Sequence, residues 1–188
     1  MLLSFTIFFY SSTIAYGSSV YLKENEEVTI EKLLYGLMLR SGNDAAIALA
    51  NYVGGSMEGF VTLMNETAAS IGMTNTKFIN STGLEDNLGN GNTSTSYDLA
   101  LLMSHAMQNK IFRTITQTKT KVAKTSLKTY HWTNKNKLLF NYEHTTGGKT
   151  GYTKKAYRTL VTSASKDNKN LTIVTLNQAN DFEIHKNL

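Results

Sequence analysis

The 188-residue sequence contains no cysteine and no proline. Without cysteine there is no disulfide, thiolate metal site, iron–sulfur cluster or thiol nucleophile. Without proline there is no collagen-like, polyproline or Pro-rich linker segment, although average usage of about 5% would supply roughly nine. Charge is also sparse, at 18% of residues. Thr (25) and Asn (18) supply much of the polarity instead, so surfaces and loops are expected to be uncharged rather than ionic. Long apolar runs are missing. The stretch MLLSFTIFFY at 1–10 falls well short of the about 20 residues that a bilayer-spanning helix requires, and no later segment reaches that length. What remains is a globular composition, 41% hydrophobic, at a length suited to one domain with a sizeable core.

Residues 1–100 hold 4 Lys/Arg and 10 Asp/Glu, a net of −6, whereas residues 101–188 hold 15 and 4, a net of +11. Such asymmetry fits either a polyanionic partner or a solvated basic surface. The basic stretch 119–137, with Tyr130, His131 and Trp132 interleaved, is the one place where a nucleic-acid stacking surface is conceivable, but no recognised nucleic-acid module accompanies it. The apolar start is open to three readings: the h-region of an export signal with small residues for cleavage at Ala15-Tyr16-Gly17, a buried strand, or a non-native start. No Lys or Arg precedes it.

Periodicity divides the rest of the chain. Ile30, Leu33, Leu34, Leu37 and Met38 follow the helical period over 29–39, with Thr29 as N-cap. The pattern breaks at 40–44. Helices are then expected over 45–52, 56–71 (ended by Gly72) and 95–109, the last opened by a capping-box pattern at Thr95–Asp98, with a helical turn at 111–115. Residues 73–94 are turn-rich. From Thr116 the period changes to two. Strands are expected over 116–122, 127–132, 157–165 and 171–176 and a Gly-rich strand or loop over 146–153, with turns near 124–126 and 166–170 and the start of a helix at Phe182. The result is an α+β pattern, α-rich over about 29–115 and β-rich over about 116–188.

Most chemical motifs fail on inspection. Gly148-Lys149-Thr150 lacks the first glycine of a phosphate-binding loop, and Gly89-Asn90-Gly91 has Ser94 where a dinucleotide fingerprint needs glycine. The four histidines form no i, i+4 pair, so no metal or other cofactor is indicated. Two triplets remain: Ser41-Gly42-Asn43 at the break between two helices, and Lys149-Thr150-Gly151 on or beside a strand. Alone, each reads equally as a helix cap and a glycine-containing bulge. They match two members of a set that, with S-x-x-K, marks penicillin-binding proteins and class A β-lactamases.

The flanking text resembles serine-type D-alanyl-D-alanine carboxypeptidases, the low-molecular-mass penicillin-binding proteins. It does so over 17–23 (GSSVYLK), 34–46 (LYGLMLRSGNDAA), 80–84 (NSTGL), 96–100 (SYDLA) and 147–153 (GGKTGYT). The resemblance implies an antiparallel sheet flanked by helices plus an all-α region, with the active site between them. It implies a peptidoglycan stem peptide ending in D-Ala-D-Ala as substrate, β-lactams as mimics of it, an acyl-enzyme on the S-x-x-K serine, and a location in the bacterial cell envelope outside the cytoplasm. On this reading Ser41 relays a proton towards the leaving amine. Asn43 orients the substrate amide. Lys149 and Thr150 hold the substrate carboxylate, and Gly151 lets substrate backbone approach the strand.

Residues 1–16 do not resemble the family, and no S-x-x-K precedes Ser41. The sole match, Ser163-Ala164-Ser165-Lys166, follows the Lys149 triplet and falls at an expected strand end, so Ser163 is read as structural. The chain is therefore expected to be an N-terminally truncated member, lacking the first strands and the nucleophile helix, marginally stable alone and unable to form the acyl-enzyme. A non-catalytic protein that binds wall peptides is the alternative, and a basic nucleic-acid-binding protein a remoter one.

Overall fold

The computed structural model describes residues 4–9 and 16–188. Two short strands, β1 (Thr6–Phe9) and β2 (Glu26–Thr29), pair antiparallel. Helices α1 (Ile30–Arg40), α2 (Asn43–Gly54), α3 (Met57–Ser70), α4 (Ser96–Ala106) and α5 (Lys110–Thr116) follow. The hairpin β3 (Thr120–Lys124) and β4 (Thr129–Thr133) comes next, then a single turn of helix, α6 (Leu138–Asn141). Strands β5 (Thr145–Thr153), β6 (Tyr157–Lys166) and β7 (Lys169–Leu176) form an antiparallel sheet in chain order, and α7 (Asp181–Asn187) closes the chain. Helices α4, α5, α6 and α7 pack on this sheet, which is the sheet-plus-helices α+β arrangement expected from the sequence.

Local chemistry explains the boundaries. Thr29 caps α1, its hydroxyl accepting from the Lys32 amide at 3.4 Å, and Thr95 caps α4 through the Asp98 amide at 3.1 Å. The Asp98 carboxylate does not reach back to the cap. It is buried and accepts from the Asn75 amide and the Thr76 hydroxyl, which fastens the turn-rich stretch to α4. Two expectations need correction. Helix α2 begins at Asn43 rather than Ala45, because the Gly42 carbonyl already accepts a helical bond from the Ala46 amide. Residues 116–119 are not strand: Thr116 ends α5, and β3 starts only at Thr120. Residues 6–9 form strand β1, whereas 1–3 and 10–15, with Ala15 of the suggested cleavage site, lie outside the described residues.

The main core lies between α1, α2 and the β3–β4 hairpin. Leu33, Leu39 and Leu49 meet Ile115, Ala123, Tyr130 and Trp132 there. Tyr130 and Trp132 are only 7% and 6% exposed, with ring centroids 4.9 Å apart. Packed inward, neither ring offers a face for a nucleic-acid base to stack on, which corrects the suggestion raised by the 119–137 stretch. Glu26, wholly buried on β2, accepts from the Tyr130 hydroxyl at 2.8 and 2.9 Å and from the Thr125 hydroxyl at 2.5 Å, tying β2 to the hairpin.

Asp44, 4% exposed in the first turn of α2, organises the wall of the future site. Its carboxylate accepts from the Ser19 hydroxyl (2.6 Å) and from the amides of Val20 (3.0 Å) and Leu22 (2.9 Å). The segment 18–22 is thereby laid against the start of α2. Replacing Asp44 with Ala leaves those amides without an acceptor, at about 1–3 kcal/mol per stranded group. Asp44→Ala is expected to lower unfolding free energy by about 2–4 kcal/mol in urea titration, and Asp44→Asn by less.

Candidate active site

A cleft of about 930 Å³ opens between the helical part and the β5–β6 edge, and Ser41, Asn43, Lys149, Thr150 and Gly151 all line it. All five candidate residues are thus brought to one cavity, although Ser41 and Lys149 lie 108 positions apart.

Ser41 sits at the C-terminal end of α1 with φ 58 and ψ 42, a left-handed conformation usually left to glycine. Its amide donates to the Leu37 carbonyl at 2.9 Å, and the next residue, Gly42, donates to Gly36 at 3.3 Å. A Cβ at Gly42 would lie 3.0 Å from both an Asp44 carboxylate oxygen and Val20, so the turn cannot be eased by exchanging the two residues. A non-glycine residue in this conformation carries about 1–2 kcal/mol of strain. The Ser41 hydroxyl meets Lys149 across the cleft.

Lys149 reaches that hydroxyl from β5. Its ammonium donates to Ser41 Oγ at 2.5 Å and to the Thr150 carbonyl. Burial, and then the positive charge of Lys135 across the cleft, lower its pKa from 10.5 to about 8. Lys135 itself is lowered by burial and by Arg40, and it donates to the Ser18 hydroxyl at 3.2 Å. Lys137 and Arg158 also line the cavity, and Arg158 is paired with buried Asp181 at 2.7 Å. The pocket is therefore cationic and partly desolvated, suited to an anionic group.

Asn43 and Gly151 have structural work as well as access to the cleft. The Asn43 side-chain amide donates to the Tyr16 carbonyl at 2.5 Å. A Cβ at Gly151 would lie 2.4 Å from the hydroxyl of Thr159, its cross-strand partner, so the glycine makes room first for β6. Ser163 is 5% exposed in β6 and shares a hydrogen bond with Thr146 at 2.8 Å, which bears out its reading as a strand residue. Sequence reasoning missed Ser18, Lys135, Arg158 and Asp181. Of these only Ser18 fell within a stretch of resemblance, and the others carry no motif. Among the described residues no three His, Cys, Asp or Glu side chains cluster as metal ligands. No helix among them is long and apolar enough to cross a membrane.

A mixed α+β fold with a partly buried serine–lysine contact across a cationic cleft is the arrangement expected of the penicillin-binding, serine-peptidase class of proteins. Residues 9–180 match the family model described as D-alanyl-D-alanine carboxypeptidase, Peptidase_S11, and the chain belongs to this family. It is 36% identical to D-alanyl-D-alanine carboxypeptidase DacF of Bacillus subtilis over 81% of its length, and 41% identical to a Streptomyces D-alanyl-D-alanine carboxypeptidase, again over 81%. Among solved structures it superposes on a D-alanyl-D-alanine carboxypeptidase from Mycobacterium tuberculosis with a TM-score of 0.86 at 34% identity, covering 93% of this chain and 66% of that one. It superposes on the Streptomyces K15 DD-transpeptidase with a TM-score of 0.80 at 37% identity, covering 85% and 64% respectively. The chain spans 39% of the length of the Bacillus relative and 55% of the Streptomyces one.

A lysine whose folded-state pKa lies below its unfolded value binds fewer protons when folded, so stability rises as pH climbs from about 8 towards 10.5. Below about 8 the full penalty applies, roughly 3 kcal/mol for a shift of this size. Lys149→Met is expected to stabilise the fold by about 1–3 kcal/mol at pH 7. In urea unfolding its advantage over the parent protein should shrink steadily between pH 8 and 10.5.

Proposed function

We propose that this cleft reads the C-terminal D-Ala-D-Ala of peptidoglycan stem peptides, as part of a serine-type D-alanyl-D-alanine carboxypeptidase working in the cell envelope outside the cytoplasm. The observation that carries the reading is the Ser41–Lys149 contact at the mouth of the β5 edge. The Lys149 ammonium and Thr150 hydroxyl receive the terminal carboxylate, and Lys135 adds positive charge to the same pocket. Binding of that carboxylate keeps Lys149 protonated, since an opposite charge favours the charged form. Ser41, held at 2.5 Å, is then placed to pass a proton to the departing D-Ala amine. β-Lactams, carrying a carboxylate of their own, fall within the same recognition chemistry. Formation of an acyl-enzyme on the peptide needs the S-x-x-K serine, and none stands before Ser41 in this sequence.

Chemical-shift titration with a tripeptide ending in D-Ala-D-Ala is expected to show saturable binding, weakened at least tenfold by Lys149→Ala or by amidating the peptide's C-terminus. Equal binding of the amidated peptide would refute the carboxylate assignment.

A further inference from the structure

We propose that Ser41 and Lys149 form a nucleophile–base pair of their own, through which this chain accepts the acyl group of uncharged, activated esters onto Ser41 Oγ. The inference goes beyond peptide recognition and departs from the expectation of no acylation, which counted only an S-x-x-K serine.

Three independent features place the two groups for it. The first is the direct contact between Lys149 Nζ and Ser41 Oγ at 2.5 Å, the hydrogen-bonded pairing that a nucleophile and its base require. The second is the backbone of Ser41. Ser41 is a left-handed non-glycine residue between the end of α1 and the start of α2, and such outliers concentrate at functional positions. The third is access, since both side chains line the cleft, where Ser18 and Lys135 stand beside them to offer hydrogen bonding and positive charge to a developing oxyanion. Burial favours the neutral amine, the form a base requires, and the pKa of about 8 leaves about a tenth of Lys149 unprotonated at pH 7. The charged groups around it are Lys135 and Lys137 on the stretch after β4, Arg158 on β6 and Asp181 at the start of α7. Asp181 is engaged by Arg158, so within this set no carboxylate is free to hold the proton on Lys149.

The step balances within the protein and the ester. The Ser41 hydroxyl proton passes to the Lys149 lone pair as Oγ bonds to the carbonyl carbon. The bond from that carbon to the leaving alkoxide or phenoxide breaks, and the leaving group departs with its electron pair. Lys149 then returns its proton to solvent. Hydrolysis runs the same way, with Lys149 taking a proton from water and handing it to Ser41 Oγ as the acyl–oxygen bond breaks. The same geometry sets the selectivity. A donor with its own carboxylate, whether a D-Ala-D-Ala peptide or a penicillin, pins the proton on Lys149 and disables the base. An uncharged ester does not.

The test uses p-nitrophenyl acetate with the whole chain, reading phenolate release and mapping the acetyl group by peptide mass spectrometry. Acetyl on Ser41, formed at least tenfold faster than in Ser41→Ala or Lys149→Ala and with a rate that rises through pH about 8, is the expected result. Added methylamine should restore part of the rate to Lys149→Ala but none to Ser41→Ala. Acetyl confined to surface lysines or to Ser18, with Ser41 of the unsubstituted protein unmodified, overturns the proposal even if a variant fails to fold. Failure here leaves peptide binding intact, so the two readings fall separately.

Discussion

A lysine ammonium held away from water is the constraint on which the cleft depends. Among the described residues Lys149 has no carboxylate partner. Among the described residues its protons go to the Ser41 hydroxyl and the Thr150 carbonyl, while the positive charge of Lys135 opposes it. Such a group destabilises the fold unless a ligand supplies the missing negative charge. The fold tolerates it because the structural work is done elsewhere: by the apolar contacts of α1 with the β3–β4 hairpin, by Glu26 on that hairpin, and by Asp44 at the start of α2. Stability and chemistry are thus spatially divided, with the strained turn and the unpaired cation both facing the cleft.

The division follows from chain order. The helical part ends one turn in a left-handed serine, and the sheet contributes one lysine from an edge strand. Neither triplet is informative until they meet. Gly151 shows the economy of the junction. Its missing side chain lets the Thr159 hydroxyl lie against β5, and Thr159 in turn lines the cleft. Arg158 and Asp181 extend the same wall by joining β6 to the last helix.

Much of this was legible in the sequence. The period of Ile30, Leu33, Leu34, Leu37 and Met38 located α1, and alternation located β6 and β7, since half-buried strands and amphipathic helices impose those periods. The two site triplets were legible through the company they keep, not through their own composition. Other elements were not legible for physical reasons. β1 is four residues long and sits in an apolar run that suits a leader equally well. α6 is a single turn without a side-chain cap. The boundary between α5 and β3 is blurred because Thr suits both a strand and the last turn of a helix, where Thr116 donates to the Arg113 carbonyl. Lys135, Arg158 and Asp181 gain their roles from long-range contacts alone. The placement of Tyr130 and Trp132 shows the converse hazard, since aromatics among lysines suggested a binding surface but belong to the core.

The central claim is that Lys149 is desolvated against Ser41. The direct measurement is the titration of its ε-methylene carbon by NMR, assigned by comparison with Lys149→Met. A midpoint near 8 is the value the account requires. A midpoint near 10.5, the ordinary value for a lysine, would contradict it.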